Sequence, residues 1–346
     1  MKVALCNGKI VRAAGCRLDG PFICPECGQA LSLMHGKRKH AYFAHTHDGD
    51  SHCHGETKLH QQGKSQMMKW AKAHGWHPQM EVFLPNVKQR PDLLIQVDQK
   101  PFVLEYQCSP LGLERLIERN HGYRSLHLPY CWFLGPRYRC RLHDSKVAQF
   151  TQWHQGQPVL PFWDLDNSRP EFQFNYLRVP FVQNINANKR IKYIRQTLAL
   201  QEMMVMRTDK RWRSVHDQCY LQHHLMSACP LVAHPTKPQW PVVQGGELNW
   251  RIRCLLLFDL IPLGQAAPVV CWKNIFAKRA HWLPTPCLSV DNTLDLRSRI
   301  IDQLIQDLID EKILQSDGEM LVFAEAPKWF IDADRKLKYI KTTPFL

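Results

Sequence analysis

Hydrophobic and polar positions follow a different pattern in each of three parts of the chain. Residues 1–54 carry short strand-like apolar runs among many Cys, His and Gly residues. Residues 55–150 alternate between helical and strand-like spacing, and residues 181–346 are mostly helical beyond a proline-dotted connector at 156–180. Alternating helices and strands are typical of an α/β sheet. The pattern therefore predicts an N-terminal module, a small α/β domain and a mostly α-helical C-terminal domain with these boundaries.

The middle part has the clearest predicted elements. Apolar residues at helical spacing precede a glycine that ends the pattern, and two apolar runs further on are joined by four residues of turn character. A second short helix and another strand follow. The predicted elements are a helix at 56–74, a β-hairpin of strands 92–97 and 102–107, a helix at 111–120 and a strand at 130–134.

The C-terminal part has two strong helical patterns. Residues 186–206 form an amphipathic pattern whose basic face suits either DNA or solvent. Residues 296–314 carry Ile and Leu at helical spacing and precede a turn and an apolar run at 320–323. This order is similar to the end of a winged-helix unit, although a core helix followed by a hairpin is favoured.

Charge and composition narrow the class of partner. The chain has 346 residues, with 45 Lys and Arg against 31 Asp and Glu, and thus a formal net charge of +14. That surplus indicates an anionic partner, nucleic acid before a membrane surface. A 45% share of hydrophobic residues excludes global disorder. The most apolar stretch, 255–272, is broken by an Asp and two Pro, and the N-terminus has only a short apolar run, so neither a membrane span nor a signal peptide is predicted.

The 13 scattered cysteines favour reduced thiols and metal ligands in a cytoplasm over secreted disulfides. Cys24 and Cys27 enclose two residues, a spacing that places their sulfurs at two corners of a zinc tetrahedron. His45 and Cys53 follow at separations that allow them to complete a structural Zn²⁺ site, and a chance pair or a redox pair is the alternative. The third and fourth ligands stay partly open, because this region has further histidines, namely His35, His40, His47, His52 and His54. A second zinc site of irregular spacing is less favoured, and its ligands would be Cys219, His223, Cys229 and His234.

Two acidic residues lie on the predicted hairpin. Asp92 opens its first strand and Glu105 lies within the apolar run of the second, so the two can meet at one end of the hairpin. A glutamate in an otherwise buried run is costly unless it is paired or bound to a metal, and such carboxylates suit a hard divalent cation. The alternative is a solvent-facing glutamate on an edge strand. Gln107 shares the strand face of Glu105.

The helices on either side of the hairpin carry polar residues at a spacing of four. Glu56, His60 and Lys64 can present an acid, an imidazole and an ammonium to the two carboxylates from one helix face. On the following helix, arginines and a tyrosine can grip phosphate and stack on a base. Each pattern is also typical of a solvated helix face. The second set consists of Arg115, Arg119 and Tyr123.

Several separate motifs, in this order, resemble the bacterial competence protein CoiA-like family, whose members carry a PD-(D/E)xK-type nuclease domain. The resemblance covers about residues 1–140 well and the C-terminal half loosely. The motifs that carry it are Phe22–Gly28, Tyr42–His45, Glu56 with His60 and Lys64, Arg90–Asp92, Glu105–Ser109, Arg119–Tyr123 and Trp132–Gly135.

The resemblance implies a small restriction-endonuclease-like mixed sheet core, preceded by a zinc-ribbon-like module. It further implies a cytoplasmic protein that processes or recombines incoming DNA, expected to be single-stranded, alongside strand-exchange proteins. Asp92 and Glu105, with Glu56, would hold the catalytic Mg²⁺ or Mn²⁺, which lowers the pKa of a bound water. Gln107 stands where the superfamily usually has lysine, so Lys64 is a candidate for the missing charge.

Two functions remain open from the sequence. A metal-dependent deoxyribonuclease is favoured by the set of acidic residues. A DNA-binding accessory protein for recombination, with weak or no cleavage, is favoured by Gln107, because an amide carries no charge to offset a phosphate. A zinc-bearing transcription regulator comes third, since the sequence has no clear recognition helix.

Overall fold

The computed structural model describes residues 3–14, 16–17, 19–25, 28–35, 41–46, 57–140, 142–206 and 210–344. Three of the predicted site residues lie outside these described ranges. They are Cys27, Cys53 and Glu56.

Helices and strands are mixed throughout the described residues, which confirms the predicted α/β class. The strands are β1 (Val3–Cys6), β2 (Lys9–Arg12), β3 (Phe22–Ile23), β4 (Ala30–Met34), β5 (Tyr42–His45), β6 (Gln79–Met80), β7 (Leu93–Val97), β8 (Lys100–Gln107), β9 (Tyr130–Leu134), β10 (Gln152–His154), β11 (Gln157–Asp164), β12 (Arg169–Gln173), β13 (Ala266–Pro268), β14 (Leu314–Ser316) and β15 (Met320–Phe323). The α-helices are α1 (Lys58–Ala73), α2 (Leu113–Ser125), α3 (Pro136–Arg139), α4 (Asp144–Phe150), α5 (Lys189–Met206), α6 (Lys210–Leu221), α7 (Glu247–Leu255), α8 (Val269–Arg279), α9 (Val290–Asp310) and α10 (Ala333–Thr342).

The chain separates into two compact units. Unit 1 consists of residues 1–141 and 160–173, and unit 2 of residues 142–159 and 174–346. The segment predicted as a proline-dotted connector contains the strands β11 and β12. The prolines of this segment do not exclude strands, because proline is tolerated in edge strands and at the first residue of a strand.

An antiparallel sheet begins unit 1. Its strand order is β2-β1-β3-β4-β5, and each neighbouring pair is antiparallel. Phe22 and Phe43 pack with ring centroids 4.8 Å apart in its core, together with the buried Ala4 and Leu31. This small core is the one that the predicted zinc module would use.

A second, mixed sheet carries the rest of unit 1. Strands β6, β7 and β8 are antiparallel, whereas β8 and β9 run parallel because α2 returns the chain between them. On one face of this sheet, Met67 and Ala71 of α1 pack against Leu104, Tyr106 and Phe133. Helix α1 is therefore fixed against the strands that hold the predicted acidic residues.

The predicted hairpin is present, but its turn is tighter than expected. Asp98 and Gln99 both have positive φ angles, 49° and 65°, as a two-residue type I′ turn requires. Pairing starts immediately after the turn, between Val97 and Lys100. The register then pairs Leu93 with Leu104, and one step further along the two strands Asp92 stands opposite Glu105.

Unit 2 is mostly helical, as predicted. Helix α9 buries Ile300, Leu304 and Leu308 on one face, and Ser289 caps its start by accepting from the Asn292 N–H at 3.1 Å. Strands β14 and β15 follow in the chain and form a small sheet with the earlier strand β13, in the order β13-β15-β14. Among the described residues, no helix combines the length and hydropathy needed to cross a membrane.

The basic face predicted for residues 186–206 is partly used inside unit 2. Lys192 is buried and its Nζ donates to the Thr236 carbonyl at 2.7 Å. Arg190 donates to the Thr343 carbonyl at 2.5 Å. Two of the basic side chains of α5 thus donate to backbone carbonyls, and the choice between a DNA surface and a solvated face stays a prediction.

Candidate active site

Helix α1 begins two residues after Glu56 and faces the hairpin. Thr57 caps it by accepting a hydrogen bond from the His60 N–H at 3.3 Å. His60 and Lys64 are one turn apart, so they point to the same side. Gly63, between them, lets the Tyr106 ring lie against the helix, because a Cβ at this position would come within 2.0 Å of the ring.

Residues of helix α1 and strand β8 contact the carboxylate of Asp92. Its Oδ2 lies 3.2 Å from Nε2 of His60 and accepts the Tyr106 backbone N–H at 2.8 Å. Lys64 Nζ lies 3.8 Å from Oδ1 of the same carboxylate. The predicted meeting of the α1 stripe with the hairpin carboxylate is therefore present for His60 and Lys64.

These contacts keep Asp92 ionised. Burial on its own would raise the pKa of Asp92, but the hydrogen bond and charge of His60, the charge of Lys64 and the Tyr106 N–H lower it. The net result is a pKa well below the ordinary value of an aspartate. A carboxylate that stays charged at neutral pH is ready to bind a cation.

Glu105 is held from the following helix, α2. It is 3% exposed and accepts hydrogen bonds from Arg119 Nη2 and from the Tyr123 hydroxyl, both on its Oε1 atom. Arg119 also donates to Tyr123 at 2.8 Å and to the Arg90 carbonyl at 3.1 Å. Its guanidinium lies 5.8 Å from the Trp132 ring centroid. The buried glutamate is thus paired, as its apolar flanks predicted.

The two hairpin carboxylates have opposite pKa shifts. Burial raises the pKa of Glu105, the charge of Arg119 lowers it, and the neighbouring charge of Asp92 raises it, with a net value of about 7. Burial likewise raises the pKa of Tyr123 well above its ordinary range, so this residue remains a hydroxyl donor. Glu105 therefore titrates near neutral pH.

Glu81 joins the site although the sequence did not single it out. Lys64 Nζ donates to Glu81 Oε1 at 2.7 Å, and Arg90 Nη1 lies 3.7 Å from Glu81 Oε2. Glu81 follows the two-residue strand β6 and has a φ of 54°. A single acidic residue after so short a strand has no periodic signal, and only the pairing of β6 with β7 brings it to Lys64.

The other predicted site residues take different positions. Gln107 Nε2 donates to the Ser109 carbonyl at 2.5 Å, so its amide braces the chain after β8. Arg115 pairs with Glu118 at 2.8 Å on the helix surface. Tyr123 is fully buried, and burial leaves no face of its ring for a stacked base.

The donor chemistry at the hairpin end fits a hard divalent cation. The hydrogen bonds that Glu105 accepts from described side chains end on Oε1, so Oε2 would be its ligand oxygen and Asp92 would supply a second carboxylate. Mg²⁺ commonly binds through one or two carboxylates, with waters and substrate phosphates completing its shell. Within the described residues, no three His, Cys, Asp or Glu side chains are grouped as metal ligands. The remaining ligands would therefore come from water, phosphate or Glu56.

Part of the predicted zinc set can be located. Cys24 is buried directly after β3, and His45 ends β5. The Gly28 N–H donates to the Cys24 carbonyl at 2.9 Å and the Cys24 N–H to the Gln29 carbonyl at 2.8 Å. Since Cys27 and Cys53 lie outside the described residues, this zinc site stays a prediction.

The second zinc site is wrong. Cys229 Sγ and His234 Nε2 are 3.6 Å apart, but the buried Lys336 donates to the same sulfur at 3.3 Å. The other ring nitrogen of His234 lies 3.0 Å from Gln196 Oε1. An ammonium beside the thiol repels a dication, and the part of the chain that the structure describes holds no cluster of three metal ligands.

Comparisons with known proteins agree with the resemblance seen in the sequence. Residues 56–208 match the family model "Competence protein CoiA, nuclease-like domain". The chain is 27% identical over 170 residues to "Competence protein CoiA" of Bacillus subtilis (strain 168), a match that covers 47% of this chain and 45% of that protein. No solved structure matches the chain. Residues 56–208 therefore form a nuclease-like domain of the competence protein CoiA family.

Proposed function

We propose that the nuclease-like domain hydrolyses DNA phosphodiester bonds with Mg²⁺ or Mn²⁺ held by Asp92 and Glu105. The observation that carries this proposal is the hairpin register, which brings Asp92 and Glu105 to the same end of the two strands. There His60 and Lys64 contact Asp92, and Arg119 contacts Glu105. A buried acidic pair surrounded by cationic side chains at the end of two strands is costly to maintain for stability alone.

The residues of the chain divide the work of such a site. His60 and the Tyr106 N–H orient Asp92, and Arg119 with Tyr123 orients Glu105. These two carboxylates would hold the cation. When bound, the divalent cation lowers the pKa of a water molecule and shields the phosphate. Fixed hydrogen-bond partners of this kind set the orientation of a ligand and its basicity.

Lys64 supplies the positive charge that Gln107 lacks. Its ammonium is 3% exposed and lies between Glu81 and Asp92, on the α1 side of the carboxylate pair. A buried ammonium interacts with a phosphate more strongly than an exposed one, because little water screens it. Lys64 of helix α1 therefore provides the positive charge that a strand lysine provides in the usual motif.

The biological role follows from the family. A competence-related function with DNA as the partner is consistent with the nuclease-like domain and the net charge of +14. We extend this to incoming single-stranded DNA in the cytoplasm, handled together with strand-exchange proteins. The match spans less than half the length of the curated relative, so these statements about the whole protein are part of the proposal.

One observation favours an accessory protein that binds DNA without cleaving it. The Gln107 amide is engaged by the Ser109 carbonyl at 2.5 Å, which turns this side chain toward its own loop. If hydrolysis needed Gln107 to orient water, this contact would have to break. The same experiment separates the two functions.

The test is to incubate the purified full-length protein with circular single-stranded and duplex DNA in Mn²⁺, Mg²⁺ or EDTA. Asp92→Asn with Glu105→Gln is the test variant, because both changes keep side-chain shape and remove charge. Asp98→Asn, in the hairpin turn, is the matched control. Metal-dependent nicking by the wild type and the control but not by the double variant supports the nuclease. Salt-sensitive binding by all three proteins without nicking supports the accessory role and contradicts the proposal.

A further inference from the structure

A basic cleft lies in unit 2, among residues outside the match to the nuclease-like domain. Its volume is about 230 Å³, and its lining includes two arginines, Arg253 and Arg279, with His281 and Asn249 beside them. Trp250 forms part of its apolar wall. Cationic donors next to an apolar wall act in a lower local dielectric, which strengthens their attraction for an anion.

Helices α7 and α8 place the two arginines. Arg253 lies one turn after Asn249 on α7, and its Nε donates to the Asn249 Oδ1 at 3.0 Å. Its Nη1 lies 3.0 Å from Nε2 of His281, which must accept this hydrogen bond because a guanidinium has no acceptor. Arg279 is the last residue of α8. Two side chains therefore hold the Arg253 fork in one orientation, while part of it faces the cleft.

Among the described residues, no carboxylate forms an ion pair with either of these two guanidinium groups. Burial and the like charge of Arg279 lower the pKa of Arg253, and no carboxylate contributes to that shift. Arg251, two residues earlier on the same helix, is different, because Glu247 and Asp307 pair with it at 2.8 and 2.6 Å. Within the part of the chain that the structure describes, the acids of this unit thus neutralise Arg251 and leave the cleft positive.

We propose that this cleft binds a phosphate group through Arg253 and Arg279, carried either by a nucleic-acid strand or by a free nucleotide. Two guanidinium forks match the oxygens of one phosphate with parallel N–H···O bonds. The ligand would also relieve the repulsion between the two arginines. The site lies apart in the sequence from the carboxylate pair and requires no hydrolysis, so it can hold whether or not the domain cleaves DNA.

The test measures binding by the full-length chain in EDTA, where metal-dependent cleavage cannot occur. A fluorescent single-stranded oligonucleotide is the probe, and thymidine monophosphate and inorganic phosphate are the competitors. Arg253→Gln with Arg279→Gln should weaken binding about tenfold and flatten the slope of log affinity against log salt by roughly 0.7 for the one lost phosphate contact. Arg335→Gln, an exposed arginine on α10, is the matched control and should bind as the wild type.

Charge-preserving and single changes keep the test decisive. Arg253→Lys with Arg279→Lys should retain part of the affinity, because the charge remains while the fork geometry is lost. If circular dichroism shows that the double Gln variant is unfolded, Arg279→Gln alone is tested in its place. Displacement by the mononucleotide assigns the cleft to free nucleotides, and displacement only by the oligonucleotide assigns it to a strand. Folded Gln variants that bind every probe like the wild type overturn the proposal.

Discussion

Nε2 of His60 lies 3.2 Å from Oδ2 of Asp92, so one imidazole ties helix α1 to the start of strand β7. The His60 ring also stacks on Tyr106, with the centroids 5.7 Å apart. Because the same Oδ2 accepts the Tyr106 N–H, the carboxylate cannot rotate without breaking contacts to two elements. Helix α1 therefore contributes a side chain to the candidate site, in addition to packing against the sheet.

His60→Ala should weaken Mn²⁺ binding roughly tenfold, since the loss of an orienting partner has this effect on many metal ligands. The affinity can be measured by titration calorimetry at neutral pH. His121→Ala, an exposed histidine on α2, is the control and should leave the affinity unchanged. An equal affinity in the two variants would remove His60 from the site.

Lys64→Ala should reduce DNA cleavage on the order of 100-fold, the scale at which one charge beside a reacting phosphate acts. Lys69→Ala, on the exposed side of the same helix, controls for the loss of a lysine from α1. Cleavage rates in Mn²⁺ on circular single-stranded DNA give the comparison. If both variants cleave at the same rate, the ammonium of Lys64 serves only the Glu81 and Asp92 ion pairs.

Glu105 predicts a pH-dependent stability. Its pKa of about 7 in the folded chain lies above the ordinary value of 4.5, so protonation stabilises the fold below pH 4.5 and this contribution is lost as the pH rises through 7. Glu105→Gln cannot titrate. In EDTA, the difference in free energy of unfolding between this variant and the wild type should therefore rise in favour of the variant from about pH 5 to about pH 8. The expected change is on the order of 2 kcal/mol.

Urea unfolding at the two pH values measures this difference for Glu105→Gln. Glu118→Gln, an exposed glutamate on the same helix as Arg119, should show no such trend. A variant that loses stability relative to the wild type at the higher pH would mean that Arg119 keeps Glu105 ionised throughout.

Gly63→Ala should destabilise unit 1 by about 2 kcal/mol, because the added Cβ overpacks the buried Tyr106 ring from 2.0 Å. This cost exceeds the gain of roughly 1 kcal/mol that alanine brings to a helix interior. Gly112→Ala is the control, since a Cβ there meets no atom within 4 Å. Melting temperatures of the two variants decide the point, and an unchanged value for Gly63→Ala would show that the ring can move aside.

The N-terminal module should contain zinc. Metal analysis of the purified protein is expected to find about one equivalent. Cys24→Ser with Cys27→Ser should remove it and lower the melting temperature, because a structural zinc contributes directly to folding. Cys271→Ser, an exposed free thiol on α8, should keep the full metal content. A folded double variant with unchanged zinc would end the prediction.

The sequence determined the elements of the middle domain. The hydrophobic period placed the strand Tyr130–Leu134 at its observed bounds and α1 within two residues of its observed start. These predictions succeeded because backbone propensity and the alternation of side chains depend on neighbours a few positions away. The same local signal selected His60, Lys64, Asp92 and Glu105 as candidates.

Only the tertiary structure decided which charge meets which partner. Glu81 reaches Lys64 across 17 positions and Arg119 reaches Glu105 across 14, distances over which periodicity carries no information. The strand register sets Asp92 opposite Glu105, and the packing of α2 buries Tyr123. Local periodicity selects the secondary structure and the candidate side chains, whereas ion pairs and pKa values depend on burial and on contacts between distant segments, which exist only once the sheet and its helices have packed.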